Sequence, residues 1–228
     1  MDTDRLRLEF SLSAPDRRHA PPPDLPEVAI AGRSNAGKSS VLNRLSGSRK
    51  TAKTSRTPGR TQLLNFFNLI VSGVAQGRFV DLPGYGYAKV SASAQASWQR
   101  AVNDYLENRE ALIGIVLVMD IRHPLQDFDQ DLLRWATDVE LPVQVLLNKA
   151  DKLKSGAQKR TLQTVRQALS TYGTGERYVD CFSALRGQGQ DLLIARLNDW
   201  LQRVEPLTVT EPPDSAANPS AADESTAD

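Results

Sequence analysis

Residues Gly32-Arg33-Ser34-Asn35-Ala36-Gly37-Lys38-Ser39 follow directly on the apolar run Val28-Ala29-Ile30-Ala31 and fit the pattern G-x-x-x-x-G-K-[ST]. The chemistry open to such a stretch is the holding of phosphates. Its glycines let consecutive backbone N–H groups turn inward, a lysine at the Lys38 position neutralises β and γ oxygens, and a hydroxyl at the Ser39 position ligates Mg²⁺. The plainer reading is a glycine-rich turn with no ligand. The strand-like run before it and the helix-forming stretch after it supply the context that a phosphate loop requires.

Two further boxes belong to the same chemistry. Asp81-Leu82-Pro83-Gly84 is suited to hold Mg²⁺ from Asp81 through a water, with the Gly84 N–H free to approach a γ-phosphate because no side chain intervenes. Alone, this tetrapeptide reads as a surface turn. Asn148-Lys149-Ala150-Asp151 selects the base: the Asp151 carboxylate accepts two hydrogen bonds from the N1–H and N2–H₂ edge of guanine, whereas adenine offers no matching pair of donors. Lys149 is expected to lay its stem over the base plane, and Asn148 to tie its loop to the phosphate loop. The triplet Ser183-Ala184-Leu185, directly after Phe182, is expected to offer a backbone N–H to the guanine O6, with Phe182 counted among the nucleotide contacts; it is the least specific of the set.

Between the first and second boxes, Arg49 to Thr61 holds five basic residues and no acid. Thr61 is placed to add a hydroxyl to Mg²⁺ and sense the γ-phosphate, with Thr57 as the competing candidate. The basic residues there suit RNA phosphates or a solvated loop equally well. His19 and His123 are isolated in sequence, which favours loop or core roles over a metal site. Cys181, the single cysteine of the chain, sits in a strand-like segment and reads as an inert, half-buried thiol.

Positioning these boxes requires alternating strands and helices. The patterns give strands at Val28–Ala31, Leu63–Val71, Gly77–Val80, Ile113–Met119, Val143–Leu147 and Tyr178–Phe182, the second and third forming a hairpin. Helices fall at Lys38–Leu45, Ser93–Arg109, Asp127–Thr137, Gln158–Ser170 and Gln188–Val204. Unbroken apolar strands between helices mean a mostly parallel sheet covered on both faces. The expectation is an α/β fold with a six-stranded sheet, one strand antiparallel, in which every box falls at a strand's carboxyl end. Residues 1–26, with Pro21-Pro22-Pro23, read as a polar, extended, partly ordered N-terminal extension, 27–204 as the nucleotide-binding domain, and 205–228 as a disordered acidic tail.

At 228 residues, 24% charged and 40% hydrophobic, the chain has the composition of a soluble globular protein. No stretch resembles a secretory signal, and no apolar run reaches the roughly 18 residues of a membrane span, so a cytoplasmic location without membrane insertion is expected. The formal charge of +1 hides an asymmetry. From Glu205 onward there are six acids and no Lys or Arg, so the preceding residues set 28 basic side chains against 21 acidic ones, a net +7. A basic body favours a polyanionic partner such as RNA.

With these boxes, the chain resembles the EngB (YihA/YsxC) family within the TrmE-Era-EngA-EngB-Septin-like GTPase superfamily. The resemblance runs from about Phe10 to Val204. It rests on Pro26 through Ser40, Thr57-Pro58-Gly59-Arg60-Thr61-Gln62, Asn65-Phe66-Phe67, Asp81 through Lys89 and Asp120-Ile121-Arg122-His123-Pro124. It implies a P-loop GTPase domain, contacts to GTP or GDP from Gly59-Arg60-Thr61-Gln62-Leu63 besides the boxes above, and Mg²⁺ ligation by Ser39 and Thr61. It further implies a switch acting in assembly of the large ribosomal subunit, with a link to normal cell division and septation. The subunit or its precursor is then the partner, and the chain itself is expected to be monomeric. The competing readings are a division- or membrane-associated signalling GTPase and a GTP-binding scaffold without significant hydrolysis. Tyr85 stands where a water-orienting glutamine would be expected, which implies slow hydrolysis stimulated by a partner or ion. Asn35 is suited to a K⁺ ion beside the phosphates or to a loop-stabilising hydrogen bond. The acidic tail lies outside the family pattern.

Overall fold

The computed structural model describes residues 7–47, 63–84, 92–173 and 175–204, with backbone alone over 92–98. The strands are β1 (Arg7–Ala14), β2 (Glu27–Gly32), β3 (Leu64–Val71), β4 (Val74–Asp81), β5 (Leu112–Asp120), β6 (Val143–Asn148) and β7 (Arg177–Cys181). The helices are α1 (Lys38–Leu45), α2 (Ala92–Asn108), α3 (Asp127–Asp138), α4 (Ser155–Leu169) and α5 (Gln190–Gln202). One sheet runs β1-β3-β4-β2-β5-β6-β7. β4, β2, β5, β6 and β7 pair in parallel, and β3 alone runs against its two neighbours.

The α/β class and the single antiparallel strand are as expected, but among the described residues the sheet has seven strands rather than six. The additional one, β1, lies in the segment read as a polar lead-in. Its apolar residues alternate at Leu8, Phe10, Leu12 and Ala14, the period of a half-buried strand. Leu8 and Ala14 are buried on opposite faces, because a register shift between Phe10 and Leu12 leaves Leu8 with Phe67 and Leu69 and places Leu12 and Ala14 with Phe66 and Leu64; Phe10, exposed at the sheet edge, meets the Phe67 ring edge-on. The polar residues between them masked the pattern. The chain that follows is also pinned: Arg109 bonds the Pro21 carbonyl at 2.7 Å, and Arg78 bonds the Pro22 carbonyl at 2.8 Å and Asp24 at 2.7 Å.

The central strands are apolar on both faces because each face carries helices. Ala29, Ile115, Leu117, Val143, Val145 and Leu147 point toward Tyr105, Leu133, Ala136 and Val165. The alternate residues Val28, Ile30, Val116, Val118 and Leu146 point toward Val41, Leu42, Leu197 and Trp200. α5 sits close enough that a Cβ on Gly114 would lie 2.8 Å from the Trp200 ring. At the amino ends of the strands, fully buried Glu27 accepts from Arg109 at 2.6 and 2.9 Å and from the Tyr105 hydroxyl at 2.9 Å. Burial beside that carboxylate pushes the Tyr105 hydroxyl well above its ordinary value. This network ties down one end of the sheet; the opposite, carboxyl end holds the candidate site.

Candidate nucleotide-binding site

Parallel register aligns the boxes without further help. Ile30 stands beside Asp81, Gly32 beside Val118, Asp120 beside Asn148, and Leu147 beside Cys181. Gly32, Asp81 and Asn148 therefore end neighbouring or near-neighbouring strands at one edge, where a doubly wound sheet receives its ligand.

The phosphate loop leaves β2 and enters α1 without a side-chain cap. Gly37, the residue before the helix, has φ of +103°, and a Cβ there would run into the Asn148 side-chain nitrogen. The position thus requires glycine both for its left-handed backbone and for the close approach of Asn148. With no capping side chain, the first amides of α1 stay directed at an incoming anion, where the helix dipole favours negative charge. Arg33 and Asn35 are exposed, Ser34 and Ser39 are half-buried, and Ala36 is buried. The Arg33 carbonyl accepts from Ala36 N at 3.0 Å, closing the turn.

On the base side, the expected tie is present: the Asn148 amide donates to the Ala36 carbonyl at 2.9 Å. The Lys149 ammonium donates to the Asn35 carbonyl at 2.5 Å and lies 3.0 Å from Asp120. Two adjacent residues of the base box thus brace the phosphate loop. Asp151 is held by the Ser183 hydroxyl, which donates to its Oδ1 at 2.6 Å. A carboxylate offers about four lone-pair sites, so this bond fixes the rotamer while leaving acceptors for a base edge. Ala150 N donates to the Phe182 carbonyl at 3.0 Å, and Phe182 N to Leu147 at 2.9 Å. Phe182 itself is fully buried and acts through its backbone. The Ser183 N–H is engaged by the Gln188 carbonyl at 3.0 Å, which leaves Ala184 as the better donor of that triplet. Gly37, Ser40, Asn148, Lys149, Asp151 and Ala184 line a cavity of about 1110 Å³ that continues past Arg44 and Gln190.

On the phosphate side, the Lys38 ammonium lies 3.9 Å from Asp81 Oδ1, with both side chains nearly buried. That oxygen has no hydrogen-bond donor among the described residues. Burial pushes the Asp81 carboxyl up, and the Lys38 charge only partly offsets the effect. Gly84 lies so near that a Cβ on it would be 3.0 Å from Lys38 Nζ and 3.5 Å from Ser34 N. Leu82 and Pro83 are buried, and Leu82 N donates to the Ile30 carbonyl at 3.1 Å, which docks this turn against β2. An orphaned carboxylate oxygen beside a hydroxyl-bearing loop and a lysine fits a hydrated divalent cation, a hard ion that takes oxygen ligands. Leu63 is exposed at the start of β3. Gly59, Arg60, Thr61, Gln62, Thr57 and Tyr85 lie outside the described residues.

Asp120 is a site residue to which the boxes gave no role. It ends β5 and pairs with Lys149 at 3.0 Å and with Arg122 at 2.6 Å, and these partners, Arg122 foremost, hold its carboxyl far below the usual range. An acid closing an apolar strand beside the base box was the available signal. Cys181 is half-buried, and burial raises its thiol pKa, in keeping with an inert role. His19 sits in a turn 2.8 Å from Asp16.

Comparison with known proteins agrees with this geometry. Residues 27–149 match the family described as 50S ribosome-binding GTPase. The chain is 54% identical over 192 residues to the probable GTP-binding protein EngB of Vibrio parahaemolyticus, covering 84% of this chain and 85% of that protein. It is 52% identical over 206 residues to the protein of the same description from an Enterobacter species, covering 90% and 96%. Among solved structures, a probable GTP-binding protein engB superposes with a TM-score of 0.60 at 21% identity, over 77% of this chain and 98% of the other. Era in complex with MgGDPNP and a segment of 16S ribosomal RNA superposes with a TM-score of 0.65 at 26% identity, over 81% and 59%. No helix among the described residues is long and apolar enough to cross a membrane. The chain belongs to the EngB family of GTP-binding proteins and is a GTPase.

Proposed function

We propose that this GTPase binds Mg·GTP and works as a molecular switch in assembly of the large ribosomal subunit, in the cytoplasm, with the family's link to cell division following from that role. One observation carries the reading. The match to the 50S ribosome-binding GTPase family falls on residues 27–149, the stretch that holds the phosphate loop, Asp81–Gly84 and the start of the base box. The net +7 of the chain before Glu205 suits a partner made of RNA.

In this reading Asp151 accepts the guanine N1–H and N2–H₂, the Ala184 amide meets O6, and Lys149 covers the base while bracing the loop. The α1 amides and Lys38 hold the phosphates. Ser39 and Thr61 would ligate Mg²⁺, with Asp81 meeting its water shell; bound there, the ion supplies charge neutralisation between the β and γ oxygens. The Gly84 amide would stand near the γ-phosphate. Tyr85 has no side-chain group suited to orient water as an amide does, so hydrolysis by the isolated chain is slow and a ribosomal partner or a K⁺ ion near Asn35 supplies what is missing.

The test is sedimentation with large ribosomal subunits in the presence of a non-hydrolysable GTP analogue over a salt series. Association that weakens steeply with salt is expected, because phosphate contacts release counterions. Absence of association at low salt overturns the reading. Single-turnover hydrolysis with and without subunits separates a stimulated switch from a scaffold that does not turn over.

A further inference from the structure

At the sheet edge formed by β7, apart from the candidate nucleotide site, a second groove of about 550 Å³ opens between α4, β7 and α5. Three of its lining residues are Arg166, Arg177 and Arg196; one, Asp180, is acidic and accepts from the Gln144 amide at 3.1 Å. The arginines differ in how their charge is met. Arg196 stacks 3.3 Å above the Tyr178 ring and lies 3.3 Å from Asp199. Among the described residues, Arg177 donates only to neutral groups: the Leu141 carbonyl at 3.1 Å, the Glu176 carbonyl at 3.0 Å and the Thr137 hydroxyl at 3.0 Å. Its Nε is buried with no partner among the described residues. Arg166 is exposed on α4, and no described carboxylate pairs with it. Desolvation destabilises the Arg177 cation, and an anion laid in the groove would relieve that cost. Beside the charges, the groove offers Leu192, 58% exposed.

The chain carries a matching anion. Glu205–Asp228 contains six acids and no base, with apolar Leu207 and Val209 near its start. Its root is also in place. Arg203, two residues before Glu205, holds Glu176 at 2.6 Å, and Glu176 immediately precedes Arg177. The tail therefore departs beside the amino end of β7, and an extended chain gains roughly 3.3 Å per residue. A short tether of this kind gives an effective concentration in the millimolar range, so even weak pairing suffices to occupy the groove.

We infer that the acidic tail Glu205–Asp228 docks in cis on the Arg166–Arg177–Arg196 groove, with its carboxylates on the arginines and Leu207 or Val209 against Leu192. The groove is thereby closed to other polyanions, independently of the function proposed above. Because the pairing is electrostatic and partly exposed, salt weakens it.

The test uses the full chain with Cys181→Ser and Ser215→Cys, a nitroxide on the new cysteine, and amide line broadening read by NMR. Broadening concentrated at Arg166, Gly173 and Ala195 is expected, falling severalfold in Arg166→Glu, in the tail variant Glu211→Gln with Asp214→Asn, and in about 0.5 M salt. The tail variant leaves the folded body untouched, so its result does not depend on how well the groove tolerates substitution. Broadening spread evenly, centred on Arg33 and Arg122 at the nucleotide end, or insensitive to all three changes overturns the inference. A short RNA that shifts the groove amides while the label leaves them sharp does the same, and reassigns the groove to RNA.

Discussion

The two halves of the nucleotide site are finished to different degrees. On the base side, Asn148, Lys149 and Asp151 each make a hydrogen bond inside the protein, to Ala36, Asn35 and Ser183 respectively, and the one buried oxygen without a donor among the described residues, Asn148 Oδ1, is a neutral amide oxygen that costs less to bury than a carboxylate. On the phosphate side, Lys38 and Asp81 stand 3.9 Å apart, and Asp81 Oδ1 is buried without a donor among the described residues. The base half is preorganised, so discrimination between bases draws little on the ligand. The phosphate half carries unpaid desolvation, which only a ligand and its ion can offset. Such an arrangement makes the base the constant part of recognition and the phosphates the part that changes state.

The largest expected effect breaks the base half. Asp151→Asn removes two charge-assisted hydrogen bonds worth about 1.5–3 kcal/mol each, so guanine nucleotides lose on the order of a thousandfold in affinity. Xanthine nucleotides, with a carbonyl at C2 that the new amide can donate to, gain relative to guanine. Calorimetry with GDP and xanthosine diphosphate checks this; unchanged GDP affinity would refute the assigned role.

Next in size, Lys38→Met lowers GTP affinity by about a hundredfold through loss of a charge-assisted phosphate contact of roughly 2–3 kcal/mol. The ratio of GTP to ATP binding stays as it was, since the base half is untouched. A ratio that collapses with affinity would show that the two halves are not separable.

Smaller still, Asp81→Asn pulls stability and function in opposite directions. Burial raises the folded-state pKa of this carboxyl. A raised acid binds more protons folded than unfolded, so its contribution to stability falls as pH rises through that pKa. Neutralising it should stabilise the nucleotide-free protein at pH 7 by about 1 kcal/mol, while weakening the Mg²⁺ dependence of GTP binding. Urea unfolding in a chelator and nucleotide titration with and without Mg²⁺ read the two signs; a destabilised variant contradicts the orphan-oxygen account.

The smallest effect concerns Asp120, whose sign is reversed. Its carboxyl is held far below the ordinary 3.8 by Arg122 and Lys149, so it contributes stability above that value and loses it as pH falls further. Because the pair is partly exposed, the contribution is under about 1 kcal/mol. Wild type should lose more stability than Asp120→Asn between pH 5 and pH 3, measured by urea midpoints. Parallel loss in both would remove Asp120 from the bracing of Lys149.

Much of this contrast was legible in residue types and spacing. The phosphate loop and α1, Lys38–Leu45, follow from a glycine pattern between an apolar run and a helix-forming stretch, and both ends of that helix fall where the pattern puts them. The central strands are equally plain, since burial on two faces demands unbroken apolar runs. β1 was obscured by the serines and charges interleaved with its apolar residues, although its alternation was present. Asp120 could not be assigned a role because its partner Lys149 lies 29 positions away in sequence, and the contact exists only because β5 and β6 end side by side.

Local chemistry, then, determined by itself that this chain holds a guanine nucleotide: glycine freedom, one lysine and one carboxylate at the right intervals leave few alternatives. Which groups are already satisfied and which await a ligand was decided by the tertiary structure alone. Ser183 reaches Asp151, and Lys149 reaches Asn35, through strand register and loop packing. Asp81 Oδ1, at the end of β4 beside β2, is buried without a donor among the described residues. Hydrogen-bond satisfaction is a property of neighbours in space, and short-range sequence patterns carry no record of neighbours more than a few residues distant.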